Sequence, residues 1–174
     1  MTKYIFDFDD VLFYNTTLFK KHMYSCLEKA GIPYQEAFSH YQKIRQEFSL
    51  KSFLVYFGVE NIYEEIMSKC PDFVNTELIK TVEKIGKDNC YMITHGEKEH
   101  QLEKIKRSGI APLFSEIIII QGSKKEAVEK ICAKHKDERV IFVDDRADRF
   151  EDLDFKKYPN LKTVLYTGQN NFSV

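Results

Sequence analysis

Three aspartates, Asp7, Asp9 and Asp10, follow directly on the apolar run Tyr4-Ile5-Phe6. That run reads as a short strand buried on both faces, as in a parallel sheet. On an extended backbone Asp7 and Asp9 project the same way, and Asp10 starts the turn. Carboxylates this close repel one another, so they call for a compensating cation or a shared proton, and a divalent metal is the natural inference. An acidic turn that caps backbone donors after an edge strand would use the same residue types.

Three more strand ends carry reactive groups. Thr94-His95-Gly96 follows a strand around Tyr91. Ser123-Lys124-Lys125 opens a helix after Ile117–Ile120. Asp144-Asp145 follows Val140–Val143. Ligands of open α/β sheets gather outside the carboxyl ends of the strands. An acid cluster, a hydroxyl with a glycine turn, an ammonium and an acid pair would therefore meet at one place.

The elements that must position them divide into two kinds. Between about residues 14 and 75 the spacing of apolar residues is helical: a helix from Leu18 to Leu27, one from Tyr34 to about Phe48, one over Leu50–Phe57 and one over Asn61–Ser68. Asn15, Thr16 and Thr17 offer N-caps to the first. From Thr76 onward helices and strands alternate: helices at Thr76–Ile85, Glu97–Arg107 and Ser123–Lys134, and strands at Cys90–Ile93, Ile117–Ile120, Val140–Val143 and Leu161–Tyr166, with a short charged helix near Arg146–Leu153. Such alternation predicts an α/β fold with a doubly wound parallel sheet covered on both faces. The helical stretch is then an insert between the first and second strands.

Bulk properties narrow the function classes. The 174 residues are 43% hydrophobic and 30% charged, with a formal net charge of -1, so no broad basic field advertises nucleic-acid binding. No apolar run approaches the roughly 20 residues needed to span a bilayer, and no secretory leader is visible. The four cysteines are widely spaced with no C-x-x-C pair, which fits reduced thiols in a cytoplasmic protein better than a zinc site.

The four motifs Asp7-Phe8-Asp9-Asp10-Val11, Ile93-Thr94, Lys124 and Val143-Asp144-Asp145, in this order, resemble those of the haloacid dehalogenase-like superfamily of phosphatases and phosphotransferases. The resemblance implies a Rossmann-like core of residues 1–12 and 76–174 and a small helical cap of residues 13–75. It implies a Mg2+-dependent phosphatase acting on a small phosphorylated metabolite such as a nucleotide or sugar phosphate. Asp7 would be the nucleophile that forms an aspartyl-phosphate, and Asp9 the acid and then the base. Mg2+ would be held by Asp7, the backbone carbonyl of Asp9, Asp144 and Asp145, with Asp145 the direct ligand of the pair and Asp144 the outer one. Thr94, the backbone amide of His95, Lys124 and Asp10 would contact substrate. Val11 stands where many members have Thr. The lysine motif lacks its usual Pro, so Lys125 competes with Lys124, which fits the spacing better. A phosphomutase using the same aspartyl-phosphate is the enzymatic alternative, and a catalytically silent phosphate- or partner-binding protein is another. Oligomeric state is not readable.

Other polar residues read as structural. His22, His40, His100 and His135 lack partner spacing, Asp148 is a first-turn helix acid, and Lys98, Lys104, Lys106 and Arg107 form a solvated helix face. Phe13, Tyr14, Phe53, Tyr56 and Phe57 read mostly as filler between helices.

Overall fold

A computed structural model describes residues 1–168; the last six residues of the expected core segment lie outside the described residues. Five strands form one parallel sheet: β1 (Thr2–Phe6), β2 (Cys90–His95), β3 (Glu116–Ile120), β4 (Arg139–Asp144) and β5 (Leu161–Leu165), in spatial order β3-β2-β1-β4-β5. The chain lays strands outward on one side of β1, then returns to place β4 on the other. β1 and β4 therefore flank the point where the strand order reverses, and Asp7 and Asp144 stand at their neighbouring carboxyl ends. The Asp7 amide continues the ladder by donating to the Val143 carbonyl at 2.9 Å.

The helices, in chain order, are α1 (Lys20–Lys29), α2 (Tyr34–Ile44), α3 (Leu50–Phe57), α4 (Tyr63–Met67), α5 (Thr76–Ile85), α6 (Lys98–Arg107) and α7 (Lys125–Lys134). One face of the sheet, with Ile5, Ile93 and Phe142, packs on Val128, Ile131 and Cys132 of α7. The opposite face, with Tyr4, Phe6 and Met92, joins one continuous apolar cluster that also holds Phe19, Met23, Leu50, Phe53 and Ile66 of the helical block. All four cysteines are buried free thiols, and no helix among the described residues is long and apolar enough to cross a membrane.

Several local expectations change. No side chain of Asn15, Thr16 or Thr17 caps the first helix. The chain makes a single π-turn over Asn15–Phe19 before α1, and Asp10 satisfies the free Thr16 amide instead, accepting from its N–H at 2.8 Å. α2 stops at Ile44 rather than Phe48, and the expected helix near Arg146–Leu153 is a 3-10 turn over Ala147–Phe150. The four isoleucines of β3 are only partly buried, because β3 is an edge strand with a neighbour on one side alone. Tyr56 is exposed and lies flat on His40, whereas Phe13 and Phe53 are fully buried.

Two backbone segments join the helical block to the sheet. They are cross-linked by Asn75, whose amide donates to the Leu12 carbonyl at 2.8 Å and whose Nδ2 donates to Val11 O at 2.9 Å and to the Tyr166 hydroxyl at 2.6 Å. The Asn75 Oδ1 caps α5 by accepting from the Leu78 amide.

Candidate active site

Asp7, Asp9, Asp10, Thr94, His95, Lys124 and Asp145 line one cavity of about 390 Å³ at the carboxyl ends of β1, β2 and β4. Asp144 lies just beneath, fully buried. One carboxylate oxygen from each of Asp7, Asp144 and Asp145 lies within 4.8 Å of the others. Lys124, 2% exposed, places its Nζ 2.8 Å from Asp7 Oδ1 and 2.6 Å from Asp144 Oδ2. Lys125 points elsewhere, to the Asp152 carbonyl at 2.6 Å, so the lysine that reaches the carboxylates is Lys124.

The charge in this cluster does not close. Three carboxylates face one ammonium, and Asp7, Asp144 and Lys124 are buried. Burial, opposed by Lys124 and reinforced by Asp144, pushes the Asp7 carboxyl up to about 7. Burial, with Asp144 and Asp10 adding repulsion, pushes Asp145 to about 6. A divalent cation would supply the missing positive charge, and a set of carboxylate oxygens suits a hard ion such as Mg2+. Asp144 has both oxygens engaged, Oδ2 by Lys124 and Oδ1 by the Arg146 amide at 3.0 Å. The more open Asp145 is thus the freer donor of the pair. Asp148 is held by Arg146 at 2.6 Å, outside the cluster.

Thr94 is 1% exposed, and its Oγ1 has no hydrogen-bond partner among the described residues. A buried hydroxyl without an acceptor is costly, and an anion in the cavity would provide one. His95 directs its Nε2 to the Gln121 carbonyl at 3.1 Å. The carboxylate of Asp10 is occupied by the Thr16 amide and hydroxyl, at 2.8 and 2.5 Å, and Asp10 itself adopts φ 59°, so its side chain shapes the turn.

Asp9 lies off the extended path expected for it, in the turn after β1, and its side chain is separate from the Asp7/Asp144/Asp145 cluster. Its Oδ1 accepts from Lys104 Nζ at 2.5 Å and its Oδ2 from Gln101 Nε2 at 2.7 Å. Burial pushes this carboxyl up, but the attraction and hydrogen bond of Lys104, with the bond from Gln101, outweigh it and hold Asp9 below its usual range. Lys104 is not solvated as its neighbours on α6 suggested. It is 1% exposed, its ammonium about 5 Å from the ring centres of Phe8, Phe13 and Phe19, and it donates also to Asn15 Oδ1 at 3.0 Å. His100 lies beside it, and burial followed by the Lys104 charge depresses its imidazole to about 3. Arg107 also departs from the solvated face: it pairs with Glu64 of α4 at 2.7 and 2.9 Å. The signal for this second cluster was positional. His100, Gln101, Lys104 and Ile105 recur at helical spacing and form the buried stripe of α6, continued by Ser108 at its C-cap, although most of them are polar.

A parallel sheet that reverses its strand order beside an acid cluster defines a doubly wound α/β protein with its site at the switch point. More narrowly, the chain has the fold of the haloacid dehalogenase-like hydrolases. It superposes on a protein of Burkholderia xenovorans described as a haloacid dehalogenase-like hydrolase, with a TM-score of 0.68, 14% identity, and coverage of 93% of this chain and 82% of that one. It is similar to the HAD-hydrolase YfnB of Bacillus subtilis, solved with magnesium bound, at a TM-score of 0.58 and 16% identity over 99% and 90% of the two chains. A Thermotoga maritima protein described as a β-phosphoglucomutase matches with a TM-score of 0.59 and 14% identity over 99% and 89%. No family model and no curated protein sequence matches the chain.

Proposed function

We propose that the protein is a Mg2+-dependent phosphatase of the haloacid dehalogenase-like superfamily that hydrolyses small phosphomonoesters. The observation that carries this reading is the meeting of Asp7, Lys124 and the Asp144/Asp145 pair at the carboxyl ends of the inner strands β1 and β4, beside the Thr94 hydroxyl, which has no partner among the described residues. Asp7, Asp144 and Asp145 would hold the ion, which lets an anionic nucleophile approach an anionic phosphate. An Asp7 carboxylate oxygen attacks phosphorus, the bond to the leaving oxygen breaks, and that oxygen takes a proton from Asp9. Water then attacks the aspartyl-phosphate and gives a proton back to Asp9, which regenerates both carboxyl groups. Lys124 and Thr94 stabilise charge on the phosphoryl oxygens. In this reading residues 13–75 act as the cap, and Lys20 and Tyr41 of that block already line the cavity.

The test is turnover of p-nitrophenyl phosphate with Mg2+ and with EDTA, for wild type and Asp7→Asn. Mg2+-dependent release by the wild type and its loss in a folded Asp7→Asn variant are expected. Wild-type turnover by Asp7→Asn would remove the mechanism.

A phosphomutase is the second reading. Such an enzyme must hold a second phosphate, and Lys20 and Arg149, which line the same cavity, are not ion-paired among the described residues. Product analysis with sugar phosphates separates isomerisation from release of inorganic phosphate.

A further inference from the structure

We infer that Lys104, with Gln101, is a positioning residue that fixes the Asp9 carboxyl group for proton transfer to the leaving group; the inference rests on the phosphatase reading above. Three observations carry it. Asp9 receives one donor on each oxygen, Lys104 at 2.5 Å and Gln101 at 2.7 Å, so the plane of its carboxyl group is set from two sides. The clamp is itself held. The Gln101 Nε2 also donates to the His95 carbonyl at 2.8 Å, and Lys104 is anchored by Asn15 and enclosed by three phenylalanine rings. The clamp also has a dedicated space. Gly96, at φ 147°, lies so close that a Cβ there would stand 2.9 Å from Gln101 Nε2.

A buried ammonium is expensive, and a lysine serving only as filler would be better replaced by an apolar residue. Its position makes sense if the carboxyl group it holds must be aimed. A carboxylate offers about four lone-pair sites, and the clamp takes one on each oxygen. The protonated form can keep the same geometry. Oδ1 remains the acceptor for Lys104, and Oδ2 accepts from Gln101 while its own O–H donates to the leaving oxygen. Held in its usual ionised form by Lys104, Asp9 gives the proton taken from water to solvent between turnovers and takes one up again with the bound ester, so each cycle returns the site to its starting state.

The experiment compares kcat/KM for an alkyl phosphate, whose leaving group needs a proton, with that for 2,4-dinitrophenyl phosphate, whose leaving group does not. kcat/KM reports steps through phosphoryl transfer, so hydrolysis of the aspartyl-phosphate does not enter. Lys104→Met keeps the stem and removes the charge. It is expected to lower kcat/KM for the alkyl ester by about tenfold or more, within the range of general-acid effects, and that for the activated ester by under about threefold. Gln101→Leu is expected to move the same ratio in the same direction by less. Lys104→Arg, which restores a cation, is expected to recover part of it, and it carries the test if Lys104→Met fails to fold. An equal fall for both esters assigns Lys104 a structural role only and overturns the inference. If neither ester is hydrolysed by the wild type, or Asp7→Asn matches the wild type, the phosphatase reading falls and takes this inference with it. An intact Asp7 dependence with an unmoved ratio removes the inference alone.

Discussion

Two buried lysines flank the turn after β1, and they meet opposite electrostatic conditions. Lys104 serves one carboxylate, shares it with an amide donor and sits among aromatic faces, so its charge is balanced within the protein. Lys124 faces two carboxylates directly and a third nearby, so its surroundings keep a surplus of negative charge. The carboxyl pKa values follow this division, lowered for Asp9 and raised for Asp7 and Asp145. A balanced pair holds geometry, whereas an unbalanced cluster stores affinity for something positive.

The largest effect that can break this comparison is on stability. Asp9→Asn leaves the Lys104 ammonium buried without its counter-charge, and a loss of roughly 3 kcal/mol is expected, near the low end for a broken buried pair because Asn still offers one acceptor. Asp145→Asn in metal-free protein at pH 7.5 removes repulsion instead, so a neutral to slightly stabilising effect is expected. Urea unfolding of both variants decides; losses of similar size would show the two sites to be electrostatically alike.

Next in size is the response to pH and Mg2+. A carboxyl group with a raised folded-state pKa binds more protons folded than unfolded, so its contribution to stability falls as pH rises from the unfolded value of 3.8 through the folded one. For Asp7 and Asp145 that window runs from about 4 to about 7. Asp9, shifted the other way, loses its contribution only in acid below 3.8. The buried, neutral His100 titrates in the opposite sense and offsets part of this fall, so metal-free protein is expected to melt a few degrees lower at pH 8 than at pH 5.5. Mg2+ should restore more at pH 8, as calorimetry in EDTA and in Mg2+ would show. A Tm that climbs from pH 5.5 to 8 without metal contradicts the charge surplus around Lys124.

Gly96→Ala sharpens the Lys104 side. The added methyl meets the Gln101 side chain at 2.9–3.3 Å on a backbone at φ 147°, so a cost of about 1–2 kcal/mol is expected. The same variant should move the leaving-group ratio, and a loss of stability with an unmoved ratio would count against the clamp. The smallest effect belongs to Arg107→Ala. Its partners Glu64 and Glu103 lie at or near the surface, so a Tm change of about 2–4 °C at most is expected.

The Lys124 side was legible from the sequence because strand ends are legible. Short apolar runs closed by Asp, Thr-His-Gly or Asp-Asp announce where the chain leaves a parallel sheet, and the sheet brings those ends together. The Lys104 side was not, because α6 inverts the usual pattern. Its Leu102 is exposed while Gln101 and Lys104 are buried, so polarity pointed to the wrong face. β3 shows a related limit, since four consecutive isoleucines mark a strand but not its place in the sheet, and this strand is at the edge. The turn near Thr16 is not visible in local spacing because its hydrogen-bond acceptor, Asp10, lies six residues upstream.

The shared apolar cluster has a consequence for modularity. Residues 13–75 are sequence-contiguous, yet Phe19, Met23 and Phe53 complete the same interior as Tyr4 and Phe6, and Arg107 ties α6 to α4. Excising the segment would strip one side of the sheet, and grafting it elsewhere would export half an interior. The shared interior leads us to expect that residues 13–75 and the sheet unfold as one cooperative unit rather than as an exchangeable cassette.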